Sequence, residues 1–181
     1  MMKTMLKMTG LCCCLVWGAG CAHKTVQKNA GWSPTPAKAD ASVMDRFRAL
    51  EGTWVSTYDM PEWPPQEVHY ETIAADSAVV ETIFDGQPHE MMTVFHLDGE
   101  ELHCTHYCAA QNQPRLIAET ITSDRVVFTT ADVSNLASPD AMYMGATEFT
   151  FIDEDHIEVS WTSFEHGKQG ETIHVTSERK K

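Results

Sequence analysis

The chain has 181 residues, 43% of them hydrophobic, which is enough for one domain around a single core. Its 26 acidic residues against 13 basic ones give a formal net charge of −13, so it lacks the basic footprint of a nucleic-acid-binding protein. Charged and apolar residues are mixed along the body of the chain, in short runs rich in Val, Ile, Thr and aromatics that Gly, Pro and polar pairs punctuate; this excludes a disordered chain and reads as all-β.

Residues 1–20 read as a targeting segment outside the fold. Lys3 and Lys7 form a basic start, and Met8 to Ala19 form an apolar run too short for a lasting membrane span. The run ends in Trp17-Gly18-Ala19-Gly20-Cys21, which resembles the bacterial lipobox, with Gly18 standing where that motif usually has leucine. The resemblance implies lipidation of Cys21, and Ala22 after it implies sorting to the outer membrane, with the protein at its periplasmic face. The alternative is an ordinary secretory signal that leaves Cys21 as a free thiol. Residues 21–41 are small, polar and proline-containing and read as a tether. Residues 42–181 remain as the folded domain.

Ser42 is placed as the N-cap of a short helix, with Asp45 three residues on, and Val43, Met44, Phe47 and Leu50 as its buried stripe. Glu51-Gly52 stops the helix and a first strand follows through Thr53-Trp54-Val55. Phe47, Leu50, Gly52, Thr53 and Trp54 together resemble the opening of the calycins, the lipocalin and fatty-acid-binding-protein group. That resemblance implies a helix closing one end of an antiparallel barrel, with Trp54 packed at its base.

Nine further alternating segments follow: 66–75, 78–84, 89–97, 101–108, 115–122, 125–130, 143–152, 156–164 and 171–177. With the first strand they predict an antiparallel up-and-down β-barrel of about ten strands, wide enough inside for a ligand. Residues 131–141 break the pattern and read as a longer loop or a short helix. Polar residues share faces with apolar ones, as Tyr70 and Thr72 do with Val68, and Glu119 with Ile117 and Ile121. That mixture fits a cavity with some polar lining.

The chemically richest stretch is Pro88 to Arg115. Asp98-Gly99 between alternating runs is a strong hairpin signal. A two-residue turn there pairs Leu97 with Glu100, Thr93 with Cys104 and Met91 with His106; a four-residue turn keeps these partners or slides them by two, and every side chain stays on its face. Met91, Thr93, Phe95, Leu97, Leu102, Cys104, His106 and Cys108 thus share the inner face. On a regular strand Cys104 and Cys108 stand about 13 Å apart, too far for a disulfide unless Cys108 curls back in the following loop of a protein in an oxidising envelope. Thiolate and imidazole are good metal ligands, but the preferred readings are an interior histidine between two small buried cysteines, or a ligand contact through His106. No metal or other cofactor is assigned.

The loop that follows carries Asn112, Gln113 and Arg115, polar groups beside the expected barrel mouth. His106-Tyr107-Cys108-Ala109-Ala110 with Asn112-Gln113-Pro114-Arg115, preceded by the Met92–Gly99 hairpin, resembles a signature of uncharacterised bacterial lipocalin-like domains over roughly residues 44–178. The resemblance implies a fold and no activity. No Gly-x-Ser-x-Gly, phosphate loop or His-Glu-x-x-His occurs. The function expected is therefore binding of a small, largely apolar ligand in the barrel of an envelope lipoprotein. The contacts expected are His106, Cys104, Cys108, Met91, Thr93, Asn112, Gln113, Arg115 and Glu119, with the membrane reached through Cys21. The alternatives are an enzyme acting on a lipid-like molecule, with His106 as acid/base beside Glu119 or Tyr107, and a structural envelope protein with a filled barrel.

Overall fold

The computed structural model describes residues 27–28 and 34–181. The targeting segment and Cys21 lie outside the described residues. In chain order the elements are β1 (Gln27–Lys28), α1 (Ala41–Arg48), β2 (Gly52–Tyr58), β3 (Gln66–Ile73), β4 (Ala78–Ile83), β5 (Met91–Asp98), β6 (Glu101–Tyr107), β7 (Gln113–Ile121), β8 (Arg125–Ser134), β9 (Tyr143–Phe151), β10 (His156–Glu165) and β11 (Lys168–Arg179). Strands β2 to β11 each pair antiparallel with their sequence neighbours, and β11 returns to pair with β2, so the sheet closes. This is the ten-stranded up-and-down barrel expected from the alternation. Closure leaves no barrel edge unpaired.

Helix α1 plugs one end. Val43, Met44 and Phe47 form its buried face, and Phe47 sits among Phe95, Phe128, Phe149 and Phe151 at ring-centroid distances of 4.7 to 6.1 Å. The cap is Asp40, which accepts from the Ser42 amide at 2.9 Å. Ser42 was expected to cap; it is instead a helical residue that donates to the cap, because the carboxylate two residues earlier is the better acceptor for the free amides. Trp54, fully buried beside the helix, donates from Nε1 to Leu50 O at 2.7 Å, as expected for a tryptophan at the barrel base.

Part of the stretch read as a tether lies on the barrel. The Ala37 and Ala39 amides donate to Ala118 O and Glu100 O at 2.8 and 2.7 Å. Gln27 and Lys28 pair with Val133 and Asp132 of β8.

The β5–β6 hairpin takes the slid register. Asp98 pairs with Glu101, Phe95 with Cys104 and Thr93 with His106. Gly99 and Glu100 are therefore the two loop residues, and Gly99, at φ 61°, occupies the position that needs a left-handed residue. A slide of two preserves parity. Thr93, Phe95, Leu102, Cys104 and His106 are buried, while Tyr107 is exposed.

Residues 131–141 depart from the expected loop or short helix: strand β8 continues through Ala131 to Ser134. The register shifts there, Arg115 pairing with Asp132 but Leu116 with Thr130, which leaves Ala131 as the extra residue of a bulge. The bulge turns Val133 inward instead of Asp132 and so hides the period-2 pattern that would have announced the strand.

Candidate functional site

The end of the barrel opposite α1 is not filled. A cavity of about 270 Å³ is lined by residues of β2, β3, β4, β5, β6, β9, β10 and β11, just below the roughly 300–1,000 Å³ of most small-molecule sites. Its mouth is bounded by Trp63 of the β2–β3 loop, Phe84, Ala109, Ala110 and Met142. Tyr58, Trp63 and Phe84 pack on one another at 5.3 to 6.0 Å to make one rim. Phe84 holds a left-handed backbone, φ 59°, a costly state for a bulky residue. Burial of its ring against Tyr58, Trp63 and His89 offsets that cost.

One rung of the sheet gives this apolar space its polar content. Tyr70 pairs with Glu81, Glu81 with Thr93, and Thr93 with His106, across β3, β4, β5 and β6. All four side chains are buried, between 0% and 4% exposed. Tyr70 donates to Glu81 Oε1 at 2.7 Å, and Thr93 Oγ1 lies 3.0 Å from His106 Nδ1. Two atoms at the ends of these bonds have no hydrogen-bond partner in the protein: Glu81 Oε2 and His106 Nε2. Both residues line the cavity. By contrast, the other buried polar pair in the wall, Ser56 and Ser177, is self-satisfied at 2.7 Å.

Electrostatics keep the rung toward its neutral forms. Burial pulls His106 down to about 4, so the imidazole is uncharged near neutral pH. Burial raises the Glu81 carboxyl, and the hydrogen bond from Tyr70 opposes that rise only in part. Tyr70 is pushed well above its ordinary range by burial, then by Glu81. Trp161 covers the imidazole with ring centroids 4.6 Å apart. A neutral imidazole with Nδ1 engaged offers Nε2 as donor or acceptor according to tautomer.

The expected site residues separate into three groups. His106, Met91 and Cys108 line the cavity. Thr93 and Cys104 are fully buried behind it, Thr93 as the support of His106. Asn112, Gln113, Arg115 and Glu119 do not line it. Asn112 ties the β6–β7 loop to the β8–β9 loop, donating to Met142 O at 2.8 Å; Gln113 Oε1 accepts from Ser134 at 3.0 Å. Arg115 grips Asp132 with two hydrogen bonds on the outer face. Glu119 accepts from the Thr35 amide at 3.1 Å, outside the barrel. The partners that the enzyme alternative set beside His106, Glu119 and Tyr107, are thus elsewhere. Cys104 and Cys108 are free thiols. Among the described residues no group of three or more His, Cys, Asp or Glu side chains is placed to hold a metal ion.

Glu81 is the polar member of the site that sequence reasoning missed, as it also missed Trp161 and the rim of Tyr58, Trp63 and Phe84. The signal was parity: Val79, Glu81 and Ile83 alternate on one face of β4, and Val79 and Ile83 are plainly interior.

No family model and no curated protein matches the chain. Among solved structures, a redesigned β-barrel aligns over 75% of this chain and 95% of that one, at 11% identity and a TM-score of 0.35. The barrel assignment rests on the strand pairing itself.

Proposed function

We propose that the protein is a lipid-anchored envelope binding protein whose calycin-like barrel holds a small, largely apolar molecule. The observation that carries the binding reading is the aromatic-rimmed cavity of about 270 Å³ into which His106 presents an unpartnered Nε2. A barrel serving only as structure would gain by filling this space, since empty apolar volume and an unsatisfied buried imidazole both cost stability. The helix across one end and Trp54 at the base support the calycin likeness.

Native mass spectrometry of the purified protein tests the binding reading. A co-purifying small molecule, released on unfolding and depleted in His106→Phe, is the expected result; a bare mass, with no uptake of apolar probes such as toluene, would overturn it.

The envelope assignment rests on the apolar run before Cys21 and its likeness to a lipobox. Cys21→Ser should release the folded domain from the membrane fraction, because the acyl chains are the anchor. Membrane retention equal to that of the unaltered protein would remove this part of the proposal.

A further inference from the structure

Resting on the binding reading above, we infer that the ligand is an uncharged amphiphile: an apolar body bearing one neutral hydrogen-bonding group, such as an alcohol or a ketone, that docks on the Glu81–Thr93–His106 rung. The apolar body follows from the wall, where Val159, Val175, Ile173, Met144 and Trp161 surround the space. The neutral group follows from what that wall contains and lacks.

Glu81 Oε2 and His106 Nε2 are the two unpartnered polar atoms of the rung, each on a side chain at most 2% exposed and lining the cavity. Thr93 pairs across the sheet with both residues, so they stand two strands apart, roughly 10 Å at the backbone. Their side chains enter the same space from one side. A hydroxyl both donates and accepts, and a carbonyl accepts twice; either completes hydrogen bonding that is costly to leave open.

A carboxylate or phosphate meets the opposite situation. No Lys or Arg is among the residues that line this cavity. An anion there would be stripped of water with no cation to pair with. An ammonium fits poorly for a different reason. It brings three donors, while Tyr70 already occupies Glu81 Oε1 and Thr93 already occupies His106 Nδ1. The cavity therefore selects against both signs of charge and in favour of a dipole.

Three probes of equal chain length separate the cases: 1-octanol, octanoate and octylamine, titrated calorimetrically into the protein at neutral pH, with toluene as a purely apolar control. Octanol is expected to bind at least about tenfold more tightly than either ion, the equivalent of one net hydrogen bond or more. His106→Phe should weaken octanol by about tenfold relative to toluene. Octanoate or octylamine binding as tightly as octanol would overturn the neutral-headgroup inference while leaving the binding function intact. Octanol binding untouched by His106→Phe would remove the rung from the site. If none of the four probes binds, the binding reading itself fails. The octanol-to-ion ratio in the unaltered protein decides the inference even where the His106 variant does not fold.

Discussion

The guanidinium of Arg179 lies 4.4 Å over the ring of Trp54, joining the last strand of the barrel to the first. Its nitrogens also donate to Ala49 O at 2.6 Å, Glu51 O at 2.9 Å and Glu154 O at 3.0 Å. Two of these carbonyls belong to the segment leaving α1, where a helix end presents unsatisfied acceptors and partial negative charge. One side chain thus binds the helix end, the tryptophan and the β9–β10 turn. Trp54→Ala should destabilise by about 3–5 kcal/mol, as large core aromatics do. Arg179→Ala should cost about 1–3 kcal/mol through the cation–π contact and the three carbonyls. Urea midpoints measure both, and a Trp54→Ala loss below about 1 kcal/mol would contradict a sealed barrel base.

His106 should make stability depend on acid. Its folded-state pKa, about 4, lies below the ordinary 6.5. As pH falls through that window the unfolded chain binds a proton that the folded chain refuses, so stability falls. The shift corresponds to a contribution of roughly 3 kcal/mol, present at neutral pH and lost progressively from about pH 6.5 down to about pH 4. His106→Phe cannot titrate. Its urea stability should decline less steeply than that of the unaltered protein over that range; parallel curves would mean that the imidazole is hydrated and the burial wrong.

What the sequence made legible was periodicity, and what it concealed was departure from periodicity. The Met91–Cys108 hairpin declares its inner face whichever turn it takes, so its sequence alone puts His106 inside. The plugged end was legible in another way, through the resemblance of Phe47, Leu50, Gly52, Thr53 and Trp54 to the calycin opening. Val133 was hidden because the bulge at Ala131 breaks the alternation. Glu81 was hidden because a carboxylate is normally read as facing water, and only its neighbours Val79 and Ile83 say otherwise. Asn112, Gln113 and Arg115 looked like a binding loop by composition. The Asn112 side-chain nitrogen, the Gln113 amide oxygen and the Arg115 guanidinium instead hold Met142, Ser134 and Asp132, partners that lie 17 to 30 residues away in the chain and that no local pattern announces.

Gly145 should tolerate no side chain. A Cβ there would fall 2.3 Å from Phe164 Cδ2 and 2.9 Å from Tyr143 Cε2, and these two rings are themselves stacked at 5.8 Å. Gly145→Ala is expected to cost about 1–3 kcal/mol, the usual range for overpacking. Phe164→Ala opens the space, so the double variant should lose clearly less than the sum of the two single losses. Strict additivity in a double-mutant cycle would show that the contact is not what excludes a side chain.

Glu81→Gln should help more as pH rises. Burial raises the Glu81 carboxyl above its ordinary 4.5, so in the folded barrel it holds a proton that the unfolded chain has already released. Below 4.5 both states are protonated and the group is neutral in the balance. Above it, holding the proton costs increasingly more, so its contribution to stability falls with rising pH until the folded group also ionises. Glutamine keeps the acceptor for Tyr70, whose hydroxyl donates to Oε1 at 2.7 Å, and cannot ionise. The difference in unfolding free energy between Glu81→Gln and the unaltered protein should therefore move in the variant's favour as pH rises above 4.5, until the folded carboxyl itself ionises. Measured by urea titration, a difference that stays constant across that range would mean that Glu81 ionises as readily in the folded barrel as in the unfolded chain, and that water reaches the rung through the mouth.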